Sequence, residues 1–401
     1  MQKRPQSTRA FTVEHVDGLA RAGTLHLPHG PVRTPVFMPV GTQATVKGLT
    51  NAQMTDGDGL DLDICLANTY HLGLRPGGDA LEALGGIHTF SRWPRNVLTD
   101  SGGFQMVSLL QFSQVTEHGV HFQSPVDGSA MLLTPERSME LQNQIGADII
   151  MALDDVVPAT ATDAARFAEA TERTIRWLDR CIRAHRRPQQ QLLFGIVQGG
   201  LDTSLRQRCL QQIVQRPLPG YAIGGLAGGE EKRQFWRVVQ QCTATLPPDR
   251  PRYCMGVGYP ADLLVCVALG VDMFDCVYPA RTARFGSALV DGPAPGVLKV
   301  RAADMAADYR PLSADCPQRC CRAYSRAYLH VLAARDASVV AQLLTLHNVA
   351  YLTRLMRRAR QAIAEGDFPS WVQRWFRQQY PQHDYPNWVC EALAAAGLPL
   401  P

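Results

Sequence analysis

Four aspartates stand at or just after the ends of short apolar segments, where their carboxylates can do chemistry. They are Asp100, Asp154, Asp155 and Asp275. In glycosyl transfer, one carboxylate can act as the nucleophile while another serves as general acid or base. A single strand-end aspartate often only caps a helix, but four on one predicted rim favour catalysis, with Asp100 and Asp275 as the candidate pair. Asp272 precedes its strand end, so we expect it to be structural.

A glycine-containing turn follows the first of these carboxylates. It consists of Ser101, Gly102, Gly103 and Phe104. Its glycines allow a tight turn with free backbone N–H groups, which can cradle an anion or a planar heterocycle.

A second set of polar groups is suited to recognising a heterocycle. Gln198 follows the apolar segment LLFGIV, and Gly225 ends the segment YAIGG. A carboxylate accepts hydrogen bonds and a carboxamide both donates and accepts, so Asp154 and Gln198 with the backbone after Gly225 can read a guanine-like edge. The alternative is a buried Gln198 that only satisfies backbone groups.

Strand-like and helix-like segments alternate from about residue 62 to about residue 274. This alternation predicts an α/β protein with a parallel sheet and helical crossovers. A closed (β/α)8 TIM barrel brings all strand ends to one mouth, whereas an open doubly wound sheet spreads them along a crevice. Six successive strands end in chemically useful groups, so we predict the barrel. No G-x-G-x-x-G motif follows a strand, which leaves a dinucleotide site unsupported.

Other segments stand apart from this alternation. Residues 10–45 and 118–133 alternate apolar and polar positions and predict antiparallel hairpins, and Thr134-Pro135-Glu136 predicts a helix start. The predicted organisation is one domain over residues 1–401, with a barrel core at about 46–285, a zinc-binding insertion at about 300–350 and C-terminal helices at 351–401.

Composition limits the classes of function. The chain has 401 residues, 46% of them hydrophobic, and a net charge of +4, which permits a polyanionic partner without requiring one. The sequence has no run of 18 apolar residues, so no membrane span is predicted. The N-terminus lacks the apolar region of a secretory signal. Scattered cysteines in apolar settings predict reduced thiols in a cytosolic protein: Cys65, Cys181, Cys209, Cys242, Cys254 and Cys266.

Three cysteines cluster near the C-terminus. Cys316, Cys320 and Cys321 are followed by His347, and thiolates with one imidazole form a four-coordinate structural zinc site. The alternative is a set of free thiols on a loop. Adjacent cysteines rarely both reach one metal, so the fourth ligand stays open. His330 is a rival imidazole, but it falls within a predicted helix and is expected to pack there.

Several arginines are candidates for phosphate contacts. Arg281 and Arg284 follow the proposed nucleophile closely, and a second set lies on a predicted helix: Arg354, Arg357, Arg358 and Arg360. For the helical set, a solvated face is the favoured interpretation, because arginine is mostly exposed.

The longer motifs together resemble the tRNA-guanine transglycosylase family. The resemblance runs from about residue 10 to about residue 395 and is closest to the eukaryotic catalytic subunits. It is carried, in order, by NTYHLGLRPGG (68–78), TDSGGFQ (99–105), IVQGG (196–200), AIGGLAGGE (222–230), YCMGVGYP (253–260), MFDCVYPARTARFG (273–286) and the Cys/His cluster.

The resemblance implies a role for each matching residue. Asp275 is the implied nucleophile, which attacks ribose C1′ and expels guanine, and Asp100 is the implied general acid/base. Phe104 and Met255 would sandwich the base. Base-binding groups are implied at Ser101, Gly102, Gly103, Asp154, Gln198, Gly225 and Leu226. Contacts to tRNA are implied at Gly256, Val257, Gly258, Tyr259, Pro260, Ala261, Asp262, Ala280, Arg281, Thr282, Ala283 and Arg284.

Two positions favour the eukaryotic branch of the family. Bacterial members typically have a cysteine at the position of Val156 and a valine at that of Gly228. A glycine there makes room for queuine, whose cyclopentenediol the bacterial precursor base lacks. The alternative is that Gly228 is present only for a positive φ angle in a turn.

The sequence also departs from the family pattern. Gln318 occupies the middle position of the family's C-x-C-x-x-C zinc motif, and Cys320 is an extra thiol that can replace it. Ala280 stands where a threonine is usual. Asp155 follows the first recognition aspartate, as in the eukaryotic type.

The resemblance implies exchange of guanine for queuine at the first anticodon position of tRNAs with GUN anticodons, which are those for Asp, Asn, His and Tyr. It also implies one structural zinc ion, a heterodimer with a paralogous accessory subunit, and a cytoplasmic location, with association at the mitochondrial outer surface as an alternative. The rivals are a non-catalytic tRNA-binding or accessory subunit, which would need neither Asp100 nor Asp275, and an archaeal-type enzyme. No further RNA-binding domain is seen before residue 401, which disfavours the latter.

Overall fold

The computed structural model describes residues 10–56, 59–103, 113–294 and 296–401. Its strands are, in chain order, β1 Phe11–Asp17, β2 Ala20–Leu27, β3 Gly30–Thr34, β4 Val36–Pro39, β5 Ile64–Ala67, β6 Asn96–Thr99, β7 Gln114–Val115, β8 Val120–Gln123, β9 Ala130–Leu133, β10 Ile149–Met151, β11 Leu192–Val197, β12 Gly220–Ile223, β13 Arg252–Cys254, β14 Met273–Cys276, β15 Ser287–Leu289 and β16 Val297–Lys299.

The helices flank these strands. They are α1 Asn51–Thr55, α2 Thr69–Leu74, α3 Gly78–Ala83, α4 Ile87–Ser91, α5 Pro135–Ile145, α6 Ala164–Ala184, α7 Thr203–Ile213, α8 Lys232–Thr245, α9 Pro260–Ala268, α10 Tyr278–Arg284, a 3-10 helix Ala303–Ala307, α11 Arg319–Ala323, α12 Arg326–Arg335, α13 Ala337–Glu365, α14 Phe368–Gln379 and α15 Asn387–Ala395. Within the described ranges, no helix is long and apolar enough to cross a membrane.

Eight parallel strands form a closed barrel, which confirms the predicted (β/α)8 fold. Around the sheet the order is β4, β14, β13, β12, β11, β10, β6 and β5. The ring closes through a parallel bridge between Val40 and Leu66, where the Gly41 N–H donates to the Leu66 carbonyl at 2.6 Å. Because helices cover the outside and side chains fill the inside, both faces of each strand are buried.

Side chains alternate between the two faces along each barrel strand. Phe194, Tyr253 and Met273 belong to the cluster that fills the barrel interior. Their neighbours Cys254 and Phe274 pack outward against the helices. This period of two follows from strand geometry. It also determines which side chains just beyond each strand point into the mouth of the barrel.

An N-terminal antiparallel sheet closes the amino end of the barrel. It has the order β1-β2-β3, and Phe11, Leu25 and Val32 pack into the interior cluster. The hairpins predicted for residues 10–45 are therefore confirmed as far as Thr34. The prediction is wrong for β4, which pairs with β14 in parallel. Prolines at both of its ends hid this strand, since proline is depleted from central strands.

The second predicted hairpin region is confirmed. Strands β7, β8 and β9 form an antiparallel sheet between β6 and α5. Helix α5 then begins as expected, because the Thr134 hydroxyl accepts from the Arg137 N–H at 3.1 Å and Pro135 occupies the first turn.

The last βα unit carries an insertion. Between α10, which follows β14, and the long helix α13 lie the β15–β16 hairpin, the 3-10 helix, α11 and α12. Asn348 of α13 connects the two parts, since its amide donates to the Pro279 carbonyl at 3.0 Å and the Ser287 carbonyl at 2.9 Å. The cysteine cluster belongs to this inserted segment.

Buried polar groups join the elements at the amino ends of the strands. Asp272 is fully buried, pairs with Arg21 and accepts from the Arg252 N–H at 2.7 Å, which agrees with its predicted structural role. Asp148 accepts from His29 Nδ1 at 2.6 Å and lies 3.1 Å from His88 Nε2. The two imidazole rings stack, with centroids 3.6 Å apart.

The arginines of α13 do not form the predicted solvated face. Arg354, Arg357 and Arg360 donate to backbone carbonyls at 3.1, 3.0 and 2.9 Å. Only Arg358 of the four is exposed. The prediction was wrong because strand β3, the loop before β5 and the insertion pack over this helix.

Candidate active site

Alternation along the strands carries two carboxylates to the mouth of the barrel. Leu98 and Met273 point into the interior, and Asp100 and Asp275 lie two positions further along the same strands. The negative charge of Asp100 contributes to the raised pKa of Asp275, so the two groups share one site. The structure thus brings together the pair that the sequence singled out.

Asp275 is held by two donors. Tyr253 Oη donates to its Oδ1 at 2.6 Å, and the Gly256 N–H donates to the same oxygen at 2.8 Å. Burial raises the pKa of Asp275 above its ordinary value, while these two hydrogen bonds oppose the rise. The other carboxylate oxygen accepts from neither donor, which suits a nucleophile.

Asp100 is fixed by the start of helix α2. The Asn68 side-chain amide donates to Oδ2, and the Thr69 N–H donates to Oδ1 at 2.9 Å. The Thr69 hydroxyl also donates to the Asp100 backbone carbonyl at 2.6 Å. The carboxylate therefore has a defined orientation at the carboxyl ends of β5 and β6.

Asp154 and Gln198 are neighbours at the same mouth. Gln198 Nε2 donates to Asp154 Oδ2 at 2.7 Å, and Ser101 Oγ donates to Oδ1 at 3.2 Å. Burial raises the pKa of Asp154 to about 6, with a smaller contribution from the charge of Asp155. Gln198 thus contacts a candidate recognition group directly, in contrast to the alternative that it satisfies only backbone groups.

Asp155 has a different environment. It pairs with Arg166, whose Nη1 lies 2.8 Å from Oδ2, and with Arg173 at 2.6 Å. Its own N–H donates to the Thr174 hydroxyl at 3.0 Å. Asp155 therefore anchors its loop to helix α6, while Asp154 faces the site.

Glycines shape the pocket where backbone must come close. Gly225 has a φ of +69°, and a Cβ at this position would lie 2.3 Å from Gln198 Oε1. Gly103 follows Gly102 in the predicted turn and donates through its N–H to Ser101 Oγ at 3.3 Å. Phe104 lies outside the described residues, whereas Leu226 and Met255 are both partly exposed at the mouth.

The segments predicted to contact tRNA border the same mouth but differ in exposure. Gly256, Tyr259, Arg281 and Arg284 are exposed; Pro260, Ala261, Ala280 and Thr282 are partly exposed; Val257, Gly258, Asp262 and Ala283 are buried. Asp262 pairs with Lys232. The exposed set supplies an aromatic ring and two guanidinium groups, which suit stacking and phosphate contact.

Gly228 does not have the positive φ that a turn would require. The left-handed residues of its loop are Ala227 (φ 57°) and Gly229 (φ +103°). A Cβ on Gly228 would meet Ala159 at 3.7 Å, an ordinary contact. The turn interpretation is therefore wrong, and a side chain at this exposed position would fit without backbone strain.

Three side chains of the insertion form a group that can hold a metal ion. The ligand atoms of Cys316, Cys321 and His347 lie within 4.8 Å of one another, and all three residues are buried. His347 Nε2 lies 2.7 Å from the Leu289 carbonyl, so that nitrogen carries the proton and Nδ1, 3.1 Å from Cys321 Sγ, is free to bind. Two thiols with an oriented imidazole suit a transition metal.

Two further residues of the insertion clarify the altered motif. Gln318 turns away and donates to the Gly59 carbonyl at 2.8 Å. Cys320 Sγ lies 4.0 Å from Cys321 Sγ and also interacts with Cys316. His330 instead contacts the Val300 carbonyl at 2.9 Å, consistent with packing.

The six scattered cysteines (Cys65, Cys181, Cys209, Cys242, Cys254 and Cys266) are buried free thiols, as predicted.

A closed parallel barrel with catalytic-type carboxylates at the carboxyl ends of its strands is the arrangement of a TIM-barrel enzyme. The family described as "Queuine tRNA-ribosyltransferase" matches residues 17–381, and the chain belongs to this family. It is 53% identical over 366 residues to the "Queuine tRNA-ribosyltransferase catalytic subunit" of Schizosaccharomyces pombe, covering 90% of this chain and 89% of that protein.

Relatives occur in other lineages as well. The "Queuine tRNA-ribosyltransferase catalytic subunit" of Caenorhabditis elegans is 48% identical over 363 residues, covering 90% of this chain and 89% of that protein. The "Queuine tRNA-ribosyltransferase" of Thermus thermophilus is 48% identical over 388 residues, covering 96% of this chain and 98% of that protein. The family resemblance inferred from the motifs is thereby confirmed.

Some residues of the site escaped the sequence analysis. Asn68 directly follows β5, so the same strand-end signal that identified Asp100 was present for it. Tyr253 lies within β13 and looked like a core aromatic, and only its hydrogen bond to Asp275 reveals a role. Arg206 lies inside α7 and gave no signal at all.

Proposed function

We propose that this chain exchanges guanine at the first anticodon position of tRNAs with GUN anticodons, those for Asp, Asn, His and Tyr, for queuine. The observation that carries the proposal is that Asp100 and Asp275 both lie at the carboxyl ends of barrel strands, at the same mouth as the Asp154–Gln198 pair. Family membership supports the same reaction. The target nucleotide must leave its stack to reach this depth, as base-modifying enzymes require.

The first half-reaction attaches the tRNA to the protein. The Asp275 carboxylate attacks ribose C1′, the C1′–N9 bond breaks, and guanine leaves with the bonding electrons and gains a proton from Asp100. Tyr253 and the Gly256 N–H hold Asp275 in position for this attack. A covalent ribosyl ester and free guanine result.

The second half-reaction reverses these steps with another base. Asp100 takes the proton from the N9 position of queuine, this nitrogen attacks C1′, and the Asp275 carboxylate leaves. Asp154 and Gln198, with the backbone at Gly225 and Leu226, bind the same edge of either base, while Ser101, Gly102 and Gly103 form the turn beneath it. Met255 and Phe104 would stack on the base.

Zinc is the metal we propose for the insertion, in a structural role. Cys316, Cys321 and His347 would bind it, and Cys320 is the fourth ligand that the altered motif leaves available. Bound zinc would link α11 to α13 and so hold the inserted segment against the barrel.

For tRNA binding, we propose the segments after β13 and β14. Direct contacts would come from exposed groups of Tyr259, Arg281 and Arg284 and the backbone of Gly256, with Pro260, Ala261, Ala280 and Thr282 beside them. The buried Val257, Gly258, Asp262 and Ala283 would shape these segments. A cytoplasmic heterodimer with a paralogous accessory subunit is the assembly we propose.

The test is incorporation of labelled guanine, and then queuine, into unmodified tRNA with a GUN anticodon, with and without a candidate accessory subunit. Asp275→Asn should abolish both exchange and the denaturant-resistant tRNA adduct. An adduct that persists in this variant would reassign the nucleophile. tRNA binding without any exchange, in both assemblies, would instead favour a non-catalytic binding subunit.

A further inference from the structure

Arg206 is a fully buried cation directly beneath the proposed base pocket. It lies in α7, and its side chain has no accessible surface. No carboxylate of the described residues forms an ion pair with it, and burial lowers its pKa. Burying a charge without a carboxylate partner costs folding free energy. We therefore expect the Arg206 side chain to have a role that offsets this cost.

Three backbone carbonyls satisfy the guanidinium group. Nη1 donates to Val197 and Nε to Gly200, both at 2.8 Å, and Nη2 donates to Gly224 at 2.7 Å. Val197 and Gly200 flank Gln198, and Gly224 precedes Gly225. One side chain therefore joins the carboxyl ends of β11 and β12, where two parts of the base pocket begin.

The contacts are tight on both sides of this junction. A Cβ on Gly225 would lie 2.3 Å from Gln198 Oε1 and 3.4 Å from Arg206 Nη2. The Gly224 N–H also donates to the Val197 carbonyl at 3.1 Å. Movement of either loop would therefore break hydrogen bonds to Arg206 and displace the amide of Gln198.

We infer that Arg206 is a positioning residue that sets the distance between Gln198 and the Gly225–Leu226 backbone, and so determines affinity for the free base. This inference rests on the proposed function, because it concerns the same pocket. Arg206 does not touch the base. Its planar guanidinium donates to the three carbonyls from three different nitrogens, whereas a lysine has all its donors on one nitrogen.

The experiment compares Arg206→Lys with Arg252→Lys. Arg252 is a matched control, since it is also buried and donates to the Gly270 and Leu246 carbonyls at 3.2 and 3.0 Å, but at the amino end of β13. Guanine exchange is measured with guanine varied at saturating tRNA, and then with tRNA varied at saturating guanine.

We expect Arg206→Lys to raise the KM for guanine at least about tenfold, the effect of losing one well-placed hydrogen bond to the base. The KM for tRNA should change by less than about threefold. Arg252→Lys should lower the melting temperature and leave both KM values near those of the wild type. An unchanged guanine KM in folded Arg206→Lys overturns the inference, and so does an equal rise in both KM values.

If Arg206→Lys does not fold, Arg206→Gln, which keeps two N–H donors, is measured in the same way. Failure of both variants to fold, while Arg252→Lys folds, assigns Arg206 to stability and overturns the inference. A wild-type protein without exchange activity would refute the proposed function itself, which separates the two failures.

Discussion

Replacing Tyr253 by phenylalanine removes one hydrogen bond to Asp275, the proposed nucleophile. The substitution keeps the ring, which packs inside the barrel, and removes the hydroxyl that donates to Asp275 at 2.6 Å. The Gly256 N–H remains as a donor to the same oxygen. Because this second donor still holds Asp275, we expect the change to act mainly on the stability of the ionised carboxylate.

The magnitude follows from the type of hydrogen bond. A bond to a charged group contributes about 1.5–3 kcal/mol, and 1.36 kcal/mol corresponds to one pKa unit. The hydroxyl stabilises the ionised form, and this opposes the rise that burial causes in the pKa of Asp275. Loss of the hydroxyl should raise the pKa of Asp275 further, and in the proposed mechanism only the ionised carboxylate attacks.

We therefore expect the acidic limb of the pH profile for tRNA adduct formation to move up by about one to two pH units. The rate at high pH should fall less, because Asp275 is ionised there in both proteins. Adduct formation is followed by denaturing gel electrophoresis after rapid quenching across the pH range.

Tyr351→Phe is the matched control. Its hydroxyl donates to Asp291 at 2.8 Å, which is the same kind of bond, but in the inserted segment and α13. This variant should keep the wild-type pH profile. An acidic limb that stays in place in Tyr253→Phe, with adduct still forming, would refute the electrostatic role given to the hydroxyl.

Other outcomes are expected from single changes. In the proposed mechanism, Asp154 must be ionised to accept hydrogen bonds from the base, and burial raises its pKa to about 6. The guanine KM should therefore rise about tenfold per pH unit below about pH 6, and this dependence should be absent in Asp154→Asn. Gly228→Val should raise the queuine KM at least about tenfold while guanine exchange changes little; equal loss for both bases would remove the steric argument for queuine. One zinc per chain is expected by elemental analysis, and metal loss in Cys320→Ser would identify the fourth ligand, whereas retention would exclude it. The hydrogen bond to Asp148 raises the pKa of His29 above its ordinary value. The bond therefore stabilises the folded protein fully below about pH 6.5, and this contribution is lost as the pH rises through the folded-state pKa. His29→Ala should lower the melting temperature at about pH 6 and have little effect at about pH 9.

The sequence predicted the barrel because its parallel strands end in polar groups, a signal that depends only on the local order of residues. Asp100, Asp154, Gln198 and Asp275 all carried it. The first barrel strand was missed because its neighbours form hairpins and prolines flank it. Strand pairing over more than two hundred residues of chain, as between β4 and β14, leaves no local trace.

Contacts between distant segments explain the other differences. Tyr253 and Arg206 act through partners that only the closed barrel brings near. The arginines of α13 looked solvated because helical spacing cannot show which loops cover a face. At Gly228, the sequence left two interpretations open, and the φ angle of the folded loop rejected one.

The sheet that closes the amino end of the barrel affects the route by which the bases enter and leave the site. Phe11, Leu25 and Val32 complete a packed interior, so in the proposed reaction guanine and queuine would not pass through the amino end of the barrel and would use the mouth that binds the tRNA. Guanine would leave while the tRNA is still covalently attached, and queuine would enter by the same route. Both bases would bind the same recognition groups, so guanine has to leave before queuine binds. In the proposed mechanism, the ester at Asp275 would therefore have to last longer than the time needed for guanine to leave and queuine to enter.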